Sequence, residues 1–203
     1  MADGPDVPAD PPAVIRPAVV ADADALGDLH VLAWQRAFGD IFAPADLAAL
    51  DPAERAEGWR FRLGAMTEQP PGEPATHCLV SQESGVAQRD AATVMPSGRL
   101  LGFASFGPSR DEPASPDVGE VYALYVDPDH LGHGVGATLM AAALATLGAE
   151  GYQEATLWTP AANARGRAFY DHGGWTLDGA AKPFVFGARE VLEVRYRLEL
   201  ARP

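Results

Sequence analysis

The stretch Gly119–Trp175, GEVYALYVDPDHLGHGVGATLMAAALATLGAEGYQEATLWTPAANARGRAFYDHGGW, decides the fold. Glu120–Val126 reads as a strand closed by Asp127-Pro128. The glycine-rich turn Leu131-Gly132-His133-Gly134-Val135-Gly136 then opens a helix expected from about Ala137 to Glu150. A second strand, Ala155–Thr159, is stopped by Pro160, and a short helix from about Asn163 to His172 ends at Gly173-Gly174. A strand that feeds a glycine turn and then a helix leaves unpaired N–H groups at the helix start, where the macrodipole favours negative charge. That arrangement suits a phosphate.

The same residues resemble the acyl-CoA-binding core of the GNAT superfamily of N-acetyltransferases. The strand end reads Leu124-Tyr125-Val126-Asp127-Pro128, the turn Leu131-x-x-Gly134-x-Gly136, and the last helix Asn163-x-x-Gly166-x-x-Phe169-Tyr170-x-x-x-Gly174-Trp175. Leu131 stands where the family usually has Gln or Arg, and Gly166 where Ala is usual. The resemblance implies an α/β (α+β) fold: a mixed, mostly antiparallel sheet with a central splayed parallel strand pair and helices on both faces. It implies acetyl-CoA as acetyl donor, held by Tyr125, Val126, Gly132, His133, Gly134, Val135, Gly136, Ala137 and Asn163.

Gly132-His133-Gly134-Val135-Gly136-Ala137 also satisfies the G-x-G-x-x-[GA] pattern of a dinucleotide-binding fold. That pattern expects its first glycine at the strand end and an acidic residue closing the next strand. Here five residues separate Val126 from Gly132, and Glu154 precedes its strand. The nicotinamide reading is therefore the weaker one.

A chain of 203 residues, 47% hydrophobic and 21% charged, is long enough for one full core. Residues 14–203 are expected to form a single domain behind a mobile Pro-, Ala- and Asp-rich tail, residues 1–13, which has neither a basic start nor an apolar run. The longest apolar run, 136–149, is too short and Ala-rich for a membrane span, and the single cysteine, Cys78, has no partner for an internal disulfide. A cytoplasmic protein that engages no membrane is the expectation, with a homodimer compatible. The net charge of −13, with Lys182 the only lysine, argues against nucleic acid. A polyanionic donor would then depend on local dipoles and nearby cations, for which Arg165, Arg167, His130 and His133 are candidates.

Val14–Ala18 reads as a first strand, and Asp22 or Asp24 as the cap of a helix carrying Leu26, Leu29, Ala33 and Ala37 on one stripe and His30, Trp34 and Phe38 on the next. A broken helical segment follows: Pro44 and Pro52 suit first helical positions, Asp51 and Glu54 form a capping box, and Gly64 is the expected end. Cys78–Ser81 and Arg99–Phe106 read as strands joined by a longer connection, 82–98. Residues 192–200 alternate strictly, as a half-buried strand does. Its expected partner is Trp175–Leu177, with Lys182–Glu190 as the loop.

By resemblance, the first helical region lines the acceptor pocket, which makes Trp34, Phe38, Asp40 and Phe42 the substrate-binding candidates for a small-molecule amine. The parallel strands should splay from Asp127-Pro128 and Thr159-Pro160, since proline cannot continue a ladder. Acyl transfer to an amine needs a neutral nucleophile, an oxyanion donor and a proton for the departing thiolate. It asks for no metal. The family analogy assigns the donor to the Val126 N–H and the acid to Tyr170. Alternation places Glu120, Tyr122, Leu124 and Val126 on one strand face, and the resemblance makes Tyr122 and Glu120, four and six residues before Val126, the base candidates, Glu120 acting through a water. Asn163 is a helix cap and, by resemblance, a partner for the pantetheine amide.

Overall fold

A computed structural model describes residues 13–68, 70, 73–84, 98–113 and 115–201. The tail expectation lies outside these residues except for Ala13, and most of the 82–98 connection lies outside them too. Seven strands form one sheet: β1 (Ala13–Pro17), β2 (His77–Glu83), β3 (Leu100–Pro108), β4 (Val118–Val126), β5 (Glu154–Pro160), β6 (Thr176–Phe186) and β7 (Arg189–Glu199), in the order β1-β2-β3-β4-β5-β7-β6. Only β4 and β5 run parallel; every other neighbouring pair is antiparallel. Helices α1 (Ala23–Ala37), α2 (Pro44–Ala48) and α3 (Pro52–Thr67) cover one face. The crossover helix α4 (Val135–Ala149) covers the other, and the Phe169 and Tyr170 rings of α5 (Ala164–His172) pack into that same core. The α/β fold with a central parallel pair is the one expected.

Central placement explains β3, whose side chains are buried on both faces up to Gly107, as in a strand with helices on either side. Pro44 and Pro52 both start helices, where a missing N–H goes unused. Three local expectations are corrected. Asp22 precedes α1 without capping it. Its carboxylate accepts two hydrogen bonds from Arg16, both 2.7 Å, and one from the Val19 N–H at 2.8 Å. Asp51 caps α3 through the Ala53 N–H, and the helix runs past Gly64 to Thr67, held by buried Leu63. A glycine inside a helix costs only about 1 kcal/mol relative to alanine, which packing outweighs.

The third correction concerns the carboxyl-terminal hairpin. Residues 182–186 and 189–190 are strand, and only Gly187-Ala188 turn. Gly187 has φ 57°, and a Cβ there would overlap the Asp46 carboxylate, which also accepts from the Ala188 N–H at 3.2 Å. Strand β6 is the sheet edge and shows no clean inside-outside alternation, so a sequence period of two is absent.

Candidate active site

The parallel pairing of β4 with β5 covers only Val118–Val121 against Glu154–Leu157. Beyond Val121 the strands part, several residues earlier than the prolines suggested. In the β3–β4 ladder the Asp127 N–H donates to Leu101 C=O at 2.8 Å, so the pair Gly102/Val126 and, two residues on, Ala104/Leu124 are the non-hydrogen-bonded positions. The main-chain groups of Leu124 and Val126 therefore point away from β3, into the gap that β5 has left. An extended ligand could add itself to that edge.

A glycine cradle stands at the end of β4. Gly132 (φ 88°) and Gly134 (φ 83°) are left-handed, a region costly for residues with a Cβ, and Gly134 is the N-cap of α4. The first helical hydrogen bond there joins the Thr138 N–H to Gly134 C=O at 2.9 Å. The N–H groups of Val135, Gly136 and Ala137 precede it and have no partner among the described residues, and the first turn holds no acidic residue. A Cβ on Gly136 would lie 3.4 Å from Val126 and 3.8 Å from Phe169, so this glycine joins the cradle, the strand end and α5. These residues fit a pyrophosphate followed by an extended arm. Among the cations, Arg167 donates to the Tyr196 hydroxyl at 3.2 Å and to Ala161 C=O, Arg165 and His133 are exposed, and the His130 ring lies 3.8 Å from the Asp127 carboxylate.

Asn163 caps α5: its Oδ1 accepts from the Gly166 N–H and its Nδ2 donates to the Thr159 hydroxyl, both at 3.0 Å. A Cβ at residue 166 would overlap the Asn163 amide, which accounts for glycine where alanine is usual. Asn163→Ala should lower stability by about 1 kcal/mol in urea unfolding, and Asn163→Asp, which keeps the capping oxygen, should retain most of it. If the amide also meets the donor, both variants weaken acetyl-CoA binding in a thermal-shift titration.

Tyr170 packs against Phe169, Trp175 and Tyr196, with ring centroids 5.6, 6.3 and 5.5 Å away. Its hydroxyl makes no hydrogen bond among the described residues. Burial, with the neighbouring Tyr196, pushes its pKa up to about 12, so it stays protonated. Tyr125 lies on the opposite face, its ring stacked on His30 at 5.1 Å and near Phe38 and Phe103. Burial is the main cause that raises its pKa, with Tyr170 adding to it and Trp34 opposing.

Strand β4 carries a bulge that its sequence does not announce. Ser105 pairs with Ala123 but Phe106 pairs with Val121, which leaves Tyr122 as the extra residue. The bulge resets the alternation. Val121, Leu124 and Val126 face the α4 core, whereas Ala123 and Tyr125 face α1 and α3. Glu120 therefore does not share a face with Val126. It shares the α1 side with Tyr122, and both meet Arg110, whose guanidinium lies 4.0 Å from the Tyr122 ring centre. Glu120 is 1% exposed and accepts from the Arg110 main-chain N–H (2.8 Å), Nη2 (2.6 Å) and Nε (3.2 Å). The Tyr122 hydroxyl donates to Pro108 C=O at 2.6 Å, and burial pushes its pKa up to about 12. Both groups are thus already engaged, Glu120 by Arg110 and Tyr122 by the Pro108 carbonyl.

Trp34, Phe38 and Phe42 come together as predicted neighbours, but they also enclose Phe184 and Phe186 of β6 at centroid separations of 5.0–6.5 Å. The hairpin thus closes this aromatic wall, a contact invisible while residues 182–190 read as a loop. Asp40 is exposed beside it. Sequence reasoning missed Glu193 of β7, which alternation marks only as a polar residue on a half-buried strand. Its carboxyl is pushed above the ordinary range by burial, with Glu120 adding to this and Lys182 and Arg110 opposing it.

The acetyltransferase (GNAT) family model matches residues 50–174. A mycothiol acetyltransferase of Beutenbergia cavernae is 45% identical over 59 residues, 29% of this chain and 20% of that protein. The chain thus spans about a fifth of the length of that relative. The uncharacterized N-acetyltransferase YuaI of Bacillus subtilis (strain 168) is 26% identical over 144 residues, 71% of this chain and 69% of that protein. The crystal structure of the paia N-acetyltransferase from Thermoplasma acidophilum in complex with coenzyme A superposes with a TM-score of 0.66 at 15% identity, covering 93% of this chain and 99% of that one, a likeness of fold. With more than half of its length matched by the family model, the chain belongs to the GNAT acetyltransferase family.

Proposed function

We propose that this acetyltransferase moves the acetyl group of acetyl-CoA directly to the primary amine of a small molecule. The observation that carries the proposal is the gap beyond Val121. Among the described residues it has unpaired main chain on β4, a glycine cradle suited to a phosphate at its mouth and an unpartnered tyrosine hydroxyl on its far side. Acetyl-CoA supplies the activated thioester. Val135, Gly136 and Ala137 hold the pyrophosphate by their N–H groups, and Leu124 and Val126 pair with the arm behind it. The Val126 N–H donates to the carbonyl oxygen as charge gathers there, and Tyr170 gives its proton to the departing sulfur. Glu120, pinned by Arg110, lines the acceptor side.

A small acceptor is favoured because the face beside the gap ends in the packed wall of Trp34, Phe38, Phe42, Phe184 and Phe186, where an extended peptide would need an open groove. Among the described residues no helix is long and apolar enough to cross a membrane. The test is coenzyme A thiol release from acetyl-CoA across polyamines, amino acids, aminoglycosides and short peptides. Release with one small-amine class is the expected result. Release only with peptides transfers the assignment to a protein acetyltransferase. A thermal shift with acetyl-CoA but no release leaves a binding module, and no shift overturns donor binding itself.

A further inference from the structure

The α1-side face at the strand gap carries seven charged groups, and six of them have a partner. Arg110 holds Glu120. Asp111 accepts from the Trp158 indole at 2.9 Å and pairs with Arg195 at 2.7 Å, and Arg195 also bonds Asp178. The Lys182 ammonium lies 3.9 Å from the centre of the Trp158 ring. Lys182 is the cross-strand neighbour of Glu193, so the cation best placed to neutralise that carboxylate is directed to β5 instead. Glu193 makes no hydrogen bond, ion pair or ring contact among the described residues, although it is half-buried.

Register places this carboxylate beside the strand gap. Glu193 pairs with Pro160, the last residue of β5, on the far side of the strand gap from β4. Its charge is also one of the causes, after burial, that raise the pKa of Tyr125 on β4. We infer that Glu193, on β7, is the catalytic base that binds the acceptor's ammonium and takes its proton, in place of a β4 carboxylate. The inference rests on the acetyltransferase reading above.

An ammonium N–H bond breaks, its electron pair stays on nitrogen, and the proton moves to a Glu193 carboxylate oxygen. The nitrogen forms the C–N bond to the acetyl carbon while the C–S bond breaks and its pair leaves on sulfur. Sulfur takes the Tyr170 proton, and the second nitrogen proton restores Tyr170 through water. Glu193 releases its proton to solvent, giving an amide, a thiol and one proton. The groups facing Glu193 are Lys182 from β6, Arg110 from the segment after β3, and Glu120 and Tyr125 from β4. Burial outweighs the two cations and raises the carboxyl, so activity is lost as pH falls through that raised value.

The same shift has a consequence for stability. A carboxyl with a folded pKa above its unfolded one makes stability fall as pH rises through that window, because the folded state binds the extra proton. The neutral isostere Glu193→Gln therefore should melt no lower than wild type at pH 7.5, while a structural carboxylate would leave a less stable protein.

The experiment measures kcat/KM for the active amine against pH in wild type, Glu193→Gln and Glu193→Asp, with melting temperature and acetyl-CoA thermal shift for each. Glu193→Gln is expected to lose about 10²-fold in kcat/KM at pH 7. Its acidic limb should move up toward the amine's own pKa, with the acetyl-CoA shift retained; Glu193→Asp should recover part of the rate. Unchanged kcat/KM and an unmoved limb in Glu193→Gln overturn the assignment of Glu193 alone. Absence of thiol release by wild type with every amine overturns the acetyltransferase reading and this inference with it.

Discussion

Tyr170→Phe is expected to lower turnover about 10²-fold, the lower end of what a positioned acid contributes, with acetyl-CoA affinity within about twofold of wild type. The variant keeps the ring that packs on Phe169, Trp175 and Tyr196 and removes only the hydroxyl. That hydroxyl has no hydrogen bond to lose among the described residues, so stability should be unchanged or slightly higher. Loss of rate without loss of stability separates an acid from a core tyrosine. The wild-type pKa of about 12 adds a second readout: no limb of the pH–rate profile between pH 6 and about pH 10 should belong to Tyr170. Single-turnover thiol release in both proteins measures the chemical step directly, and equal rates remove Tyr170 from the mechanism.

How far the sequence reaches is visible at particular residues. The spacing Gly132-x-Gly134 marks two positive φ angles, which only the turn's own backbone requires, and both are present. The Pro-first helices and the alternating strand β7 are equally local. The bulge at Tyr122 is not local, because it exists only in the register of β4 against β3, and one extra residue moves Glu120 to the face opposite Val126. Arg110 could not be linked to Glu120 from spacing, since the link runs through a turn between two strands. Glu193 was hidden differently: its residue type fits a polar position on β7, and its meaning arises only from Lys182 turning to Trp158. Asp22 resembles a cap in sequence, and its actual partner, Arg16, comes from the preceding strand.

Arg16→Met should destabilise the fold by about 3–5 kcal/mol at pH 7, the range found when a buried pair loses one member. Asp22 is 1% exposed and keeps only the Val19 N–H once both guanidinium bonds are gone. Arg16 itself is mostly covered, with 14% of its side chain exposed, so solvent screens the pair little. The pH dependence fixes the sign. In wild type, burial raises the Asp22 pKa but the Arg16 and Val19 hydrogen bonds outweigh it, and the net shift is downward. The pair's contribution is therefore complete above the ordinary aspartate value, near ~3.9, and is lost as pH falls from there through the lower folded value. In Arg16→Met only burial and one N–H remain, and the carboxyl should rise instead. Acidifying from pH 7 to pH 5 then narrows the gap between the two proteins, because protonation relieves the unpaired charge in the variant and leaves wild type intact. Urea unfolding at both pH values measures the gap. A difference that is small at pH 7, or that widens at pH 5, would mean that Asp22 is held by something other than Arg16, and that α1, with His30, Trp34 and Phe38, is anchored elsewhere.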